Sequence, residues 1–272
     1  MSPRMAAVAS PGRGETLGQI HLTAERSHDR AAVVRRWSGD RWEETPDWRF
    51  HRHVLRIALY LDERVGLREG DRVAIVAPLG TEALVADWAS VSLGLATVAI
   101  DPDATLPQLT AVWRRIAPRV AFVAGDAADR VSQMPSGTGP ERVIVLGGPA
   151  RTGRDASFSE ALDLGGTLDT AERANAFRAR VRDVSPDRPM VGFAEHDGAW
   201  RFMSQRDVVA RLRRRWSSAP PRKGDLAPAP CGTPTLKERI ELYGFVGDGL
   251  TCTVLPTRDD RNTRNANAGG RP

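Results

Sequence analysis

Between residues 70 and 125 the chain alternates three short apolar runs (72–77, 96–100 and 120–124) with two segments of helical period. Runs this short and continuously apolar suit strands buried on both faces, and the helices between them supply the crossovers that parallel strands require. The block predicts βαβ units and an α/β fold: a mostly parallel sheet flanked by helices. Helices are expected over about 81–93 and 106–117.

The flanking sequence extends this pattern. Residues 31–37 and 41–44 around Ser38-Gly39-Asp40 read as a hairpin, since Gly-Asp supplies the turn conformations. A helix starts near Pro46-Asp47, has Trp48, Leu55, Ala58, Leu59 and Leu61 on its apolar side, and stops at Gly66. Residues 135–140 form a loop and 142–146 a fourth parallel strand. The Gly-rich stretch 147–153 follows that strand but fits no phosphate-loop spacing, so it reads as a plain loop. Beyond it come a helix over 168–184, strands at 189–193 and 199–203, and a Ser204-led basic helix. A Pro-rich connection (220–230), a helix over 235–246 and a strand at 250–255 complete the pattern. The expected organisation is a flexible N-terminus (1–25), an α/β domain (26–185), a partial second α/β subdomain (186–256) and a disordered tail (257–272) with nothing to bury.

Composition narrows the function classes. No run approaches the ~18 apolar residues of a membrane span, and the first 25 residues lack the apolar core of a signal peptide, which predicts a cytoplasmic protein. Cys231 and Cys252 sit in no metal spacing and read as buried small residues. The net charge of +5 invites a nucleic-acid reading, but Lys223 and Lys237 are the only lysines, as a GC-rich coding sequence would produce. In the densest basic stretch (206–215), Val208, Val209, Leu212 and Trp216 mark an apolar face. The arginines therefore read as the solvated side of an amphipathic helix, and a nucleic-acid partner is disfavoured.

The segments Gly70-Asp71-Arg72-Val73-Ala74-Ile75, Gly94-Leu95-Ala96-Thr97-Val98-Ala99-Ile100-Asp101-Pro102 and Arg119-Val120-Ala121-Phe122-Val123 resemble, in order and spacing, the N-terminal part of the AMP-forming acyl-CoA synthetases, the adenylate-forming superfamily. The resemblance covers about residues 30–255. It implies the fold of the N-terminal subdomains of an AMP-dependent synthetase/ligase, with ATP and AMP as the family's ligands. It also implies a Gly/Ser/Thr-rich phosphate loop with a lysine between two strands, small residues letting backbone N–H groups wrap the phosphates.

At that place the chain reads Ala194-Glu195-His196-Asp197-Gly198-Ala199-Trp200-Arg201-Phe202. This is shorter, has one glycine, and has no lysine or hydroxyl. Glu195 and Asp197 would repel a triphosphate, and Arg201 replaces one charge but not the donors. His196 reads as a turn residue. Downstream, Leu236-Lys237-Glu238-Arg239 resembles the family's later helix without its histidine, and Tyr243-Gly244 comes too early for the YGxTE motif. The implied phosphate loop is not retained.

Other constellations add no chemistry. His51 and His53, two apart on a helix, cannot share a metal. Asp101 and Asp103 flank Pro102 at a strand's carboxyl end, where α/β ligand sites lie, but read as a polar turn. No GxSxG elbow occurs. No residue is therefore assigned a catalytic, cofactor-binding or metal-ligating role. The expected function is that of a truncated, acyl-CoA-synthetase-like protein without adenylating activity of its own, a binding or regulatory partner of a full-length synthetase. The alternatives are the N-terminal half of a split acyl-adenylating enzyme, completed by a C-terminal half, and a basic nucleic-acid-binding α/β protein. Apolar surface left by a partial domain predicts self-association or a partner.

Overall fold

The three apolar runs become the centre of a seven-stranded sheet in a computed structural model. It describes residues 16–27, 32–37, 41–125, 127–135, 137–153, 155–194, 199–218, 226–228, 234–248 and 250–254. The described chain runs α1 (Leu17–Ser27), β1 (Ala32–Trp37), β2 (Trp42–Pro46), α2 (Asp47–Leu59), β3 (Arg72–Val76), α3 (Thr81–Ser92) and β4 (Ala96–Ile100). It continues through α4 (Leu106–Ile116), β5 (Val120–Ala124), α5 (Ala127–Ser132), β6 (Arg142–Leu146), β7 (Asp155–Ser157), α6 (Phe158–Leu168) and α7 (Ala171–Asp183). Last come β8 (Pro189–Ala194), β9 (Trp200–Ser204), α8 (Gln205–Ser218), β10 (Leu226–Pro228), α9 (Leu236–Gly247) and β11 (Thr251–Val254).

The large sheet has the order β7-β6-β5-β3-β4-β8-β9 and is parallel except for β9, which runs antiparallel to β8. Its two faces are sorted residue by residue. On β3, Val73 and Ile75 join a core under α1, α2, α3 and α9, while Ala74 and Val76 join a second core with Leu109 and Trp113 of α4. Val120 and Phe122 against Ala121 and Val123 repeat the division on β5. Burial on both faces is why these strands show no polar alternation. A smaller sheet, β10-β11-β1-β2, pairs Val34 with Cys252 across a parallel β1–β11 ladder.

The α/β class, the three central strands, β6, the β1–β2 hairpin strands and α9 stand where the sequence places them. Helix α2 runs on into a π-helical turn (Tyr60–Arg64) and stops at Gly66, whose φ of 75° is in the left-handed region. The turn at 38–40 and the tail at 257–272 lie outside the described residues.

Four expectations are corrected. The N-terminal stretch is helical from Leu17: Leu17 and Ile20 are buried, and the Leu17 N–H donates to Gln205 Oε1 at 2.7 Å. The helix expected over 168–184 is α7 and starts at Ala171, where Thr170 caps it by accepting the Arg173 N–H; Phe158–Leu168, for which the sequence predicts no element, forms the separate helix α6. Trp48 is 59 % exposed rather than on the apolar side of α2. Residues 226–228 of the Pro-rich connection form β10. Residue 185 marks no break in the sheets, since β8 pairs with β4 and β11 with β1.

Asp248, which caps the carboxyl end of α9, has its carboxyl pKa raised to about 7 by burial. Between the ordinary aspartate value and 7, the unfolded chain is ionised there while the folded chain holds the proton. The contribution to stability is thus full below the unfolded value and lost as pH rises through 7. Asp248→Asn is expected to raise the melting temperature at pH 8 and to leave it unchanged at pH 4, read by thermal denaturation across that range.

Candidate functional site

Ligands of open α/β sheets bind beyond the carboxyl ends of the strands. At β4, β8 and β9 this edge carries a broad cleft of about 580 Å³ lined by Asp101, Asp103, Gln108, Arg115, Ala194 and Trp200. Asp101 Oδ1 accepts the Asp103 N–H at 2.9 Å, which is the polar turn expected of this pair, although both residues border the cleft. The register Ala194↔Trp200 makes β8–β9 a hairpin closed by residues 195–199. Glu195, His196 and Asp197 lie outside the described residues.

A second cleft of about 340 Å³ opens at the ends of β3, β5 and β6, two strands away from the hairpin. Its floor is Ala77, Leu79, Ala83, Ala124 and Leu146; Arg36, Glu43 and Thr45 come from the β1–β2 hairpin, and Glu82 from the first turn of α3. The Gly147 N–H donates to Glu82 Oε2 at 2.7 Å, so the Gly-rich stretch 147–153 holds a protein carboxylate. Burial pushes the Glu82 pKa up, against that hydrogen bond and the nearby Arg36. Neither Glu82 nor Arg36 is legible as a site residue in the sequence, because strands far apart in the chain bring them together.

Between α3, β4 and α9 lies a buried polar cluster. Arg239 Nη2 is 2.8 Å from Asp87 Oδ1, 2.6 Å from Thr97 Oγ1 and 2.9 Å from the Tyr243 hydroxyl, which itself donates to Asp87 Oδ2 at 2.8 Å. Burial alone would lower the Arg239 pKa, but Asp87 and Tyr243 more than offset it, and the guanidinium stays charged. Burial likewise raises the Tyr243 phenol, which stays protonated as a donor. The neighbouring Glu238 is a capping residue: its carboxylate accepts the Thr235 N–H and hydroxyl. The visible signal for this cluster is Asp87, a charged residue within the apolar run 83–89 of α3, together with Arg239 and Tyr243 one turn apart.

The remaining candidates separate. His51 is buried, 3.4 Å from Asp47 and with its ring tilted against that of His21, whereas His53 is half-buried. The His53 pKa is lowered by burial and by Arg56 and Arg49. Among the described residues no group of three or more His, Cys, Asp or Glu could hold a metal ion. Cys252 is buried and free, while Cys231 lies outside the described residues. On α8, Val208, Val209, Leu212 and Trp216 are buried; of the outward arginines, Arg206 pairs with Asp187 and Arg215 with Glu241. Ser204 caps that helix by accepting the Asp207 N–H. Among the described residues no helix is long and apolar enough to cross a membrane.

A family model described as AMP-binding enzyme matches residues 20–190. No curated protein matches the chain significantly in sequence. Among solved structures, the luciferase-like enzyme of the nonluminescent mealworm Zophobas morio is similar at 17 % identity and TM-score 0.72, over 92 % of this chain and 56 % of that one. The A domain of carboxylic acid reductase from Segniliparus rugosus, solved with AMP and a co-purified carboxylic acid, is 18 % identical with TM-score 0.67, over 95 % and 47 %. Coronafacic acid ligase from Pectobacterium brasiliense is 12 % identical with TM-score 0.73, over 92 % and 47 %. The chain thus spans about half the length of these relatives. At such identities the likeness is one of fold.

Proposed function

Because the chain belongs to the AMP-binding enzyme family, we propose that it is an adenylate-forming scaffold without adenylating activity of its own, acting as a binding or regulatory partner of a full-length synthetase. The edge at β4, β8 and β9 carries this reading. Binding a nucleotide triphosphate takes convergent backbone donors and cationic side chains. Among the described residues the cleft there is lined by two carboxylates, Asp101 and Asp103, and one cation, Arg115. Residues 195–199, which close the hairpin, read Glu-His-Asp-Gly-Ala. This set of side chains does not fit the phosphates of ATP, and no step through ATP or AMP follows from it.

A second reading rests on length. Nearly all of this chain matches about half of each relative, which favours one half of a split acyl-adenylating enzyme completed by a C-terminal half. ATP–pyrophosphate exchange with fatty and aryl acids separates the two. The isolated chain is expected to give no acid-dependent exchange, and a positive signal would overturn the first reading. Exchange that appears only on mixing with the product of a neighbouring gene would establish the second.

A further inference from the structure

We infer that the cleft at the ends of β3, β5 and β6 binds a small zwitterion with an apolar side chain, an α-amino acid in class. The site lies where the connections of neighbouring strands diverge: β3 leads through α3 to β4 on one side, and β5 leads through α5 to β6 on the other. Its volume of about 340 Å³ falls within the range of small-molecule pockets.

The lining sets the chemistry. Ala77, Leu79, Ala83, Ala124 and Leu146 give an apolar floor suited to an aliphatic side chain. Glu82, beside that floor, is a partly buried carboxylate fixed on one side by the Gly147 N–H. A ligand ammonium would stabilise its ionised form and offset the burial. Arg36 commits Nη2 to Glu43 at 3.0 Å; its other guanidinium nitrogens can donate to a carboxylate. Thr45 and Thr81, with hydroxyls 3.3 Å apart, add neutral donors and acceptors. A simple anion meets repulsion from Glu82 and Glu43, and a simple cation meets Arg36. A molecule carrying both charges satisfies both walls.

Titration calorimetry at pH 7 with leucine, 4-methylpentanoate (leucine without its amine) and 3-methylbutylamine (leucine without its carboxylate) tests this on the whole chain. Leucine is expected to bind, and each truncated analogue about tenfold or more weakly, as for loss of one charge-assisted hydrogen bond. Glu82→Gln is expected to weaken leucine and 3-methylbutylamine but not 4-methylpentanoate, and Arg36→Gln to weaken leucine and 4-methylpentanoate but not 3-methylbutylamine. No heat from leucine at millimolar concentration overturns the proposal, as does equal binding of all three compounds. Leucine binding that survives both substitutions unchanged overturns it too. Since the three-compound comparison uses the unmodified protein, a variant that fails to fold leaves the test intact.

Discussion

Arg239→Ala is expected to lower stability by about 3–5 kcal/mol, the cost of breaking a buried ion pair and leaving the other charge behind. For a chain of this size that is a fall of roughly 10 °C in melting temperature. The cause lies in what remains: Asp87 is buried, and without Arg239 it keeps the Tyr243 hydroxyl as a donor but loses its cation. Thr97 Oγ1 and the Gly192 carbonyl, which face the guanidinium, would lose a donor as well. A triple variant, Arg239→Met with Asp87→Leu and Tyr243→Phe, removes every charge together with the phenol. It is expected to recover most of the loss, because apolar replacement of a whole buried pair is often close to neutral. Chemical denaturation of the single and triple variants checks this. A triple variant less stable than the single one would show that the cluster itself stabilises the fold.

Gly165→Ala is expected to cost a few kcal/mol, on the order of the upper range for overpacking. A Cβ at Gly165 would lie 2.0 Å from the Arg56 carbonyl oxygen and 2.7 Å from its carbonyl carbon. Both atoms are backbone of α2, so no rotamer change relieves the clash and α6 must move away from α2. The better helix propensity of alanine, about 1 kcal/mol, does not offset this. The adjacent Gly166 is the control. A Cβ there meets only the flexible end of the Arg56 side chain at 3.4 Å, so Gly166→Ala is expected to be neutral or stabilising by up to about 1 kcal/mol. Equal melting temperatures for the two variants would contradict the close approach of the helices.

Strands buried on both faces announce themselves locally, which is why β3, β4 and β5 are legible to within a residue or so. The same holds for capped helices: Thr235 and Glu238 mark the start of α9 within four residues. Helix α1 is different. Its apolar residues are few, and it is held by contacts such as Leu17 with Gln205, which no local window contains. Helix α6 escapes notice because Gly165-Gly166 are poor helix formers that interrupt its local signal, whereas in the fold Gly165 lets it approach the backbone of α2 at Arg56. The clefts obey the same limit. Asp101 and Asp103 are visible as a pair because three residues hold them, but Glu82, Gly147 and Arg36 meet only once β1, β3 and β6 are in place.

The parallel ladder that joins β1 to β11 also dictates the order of events at birth. Strand β1 ends at Trp37, yet its partner begins at Thr251. At ~5–20 residues per second a ribosome needs roughly 10–40 seconds to make the intervening chain. Throughout that interval the β1–β2 hairpin presents a bare strand edge to solvent or to a chaperone. The large sheet, whose parallel strands lie between, can assemble first, so the small sheet closes after it.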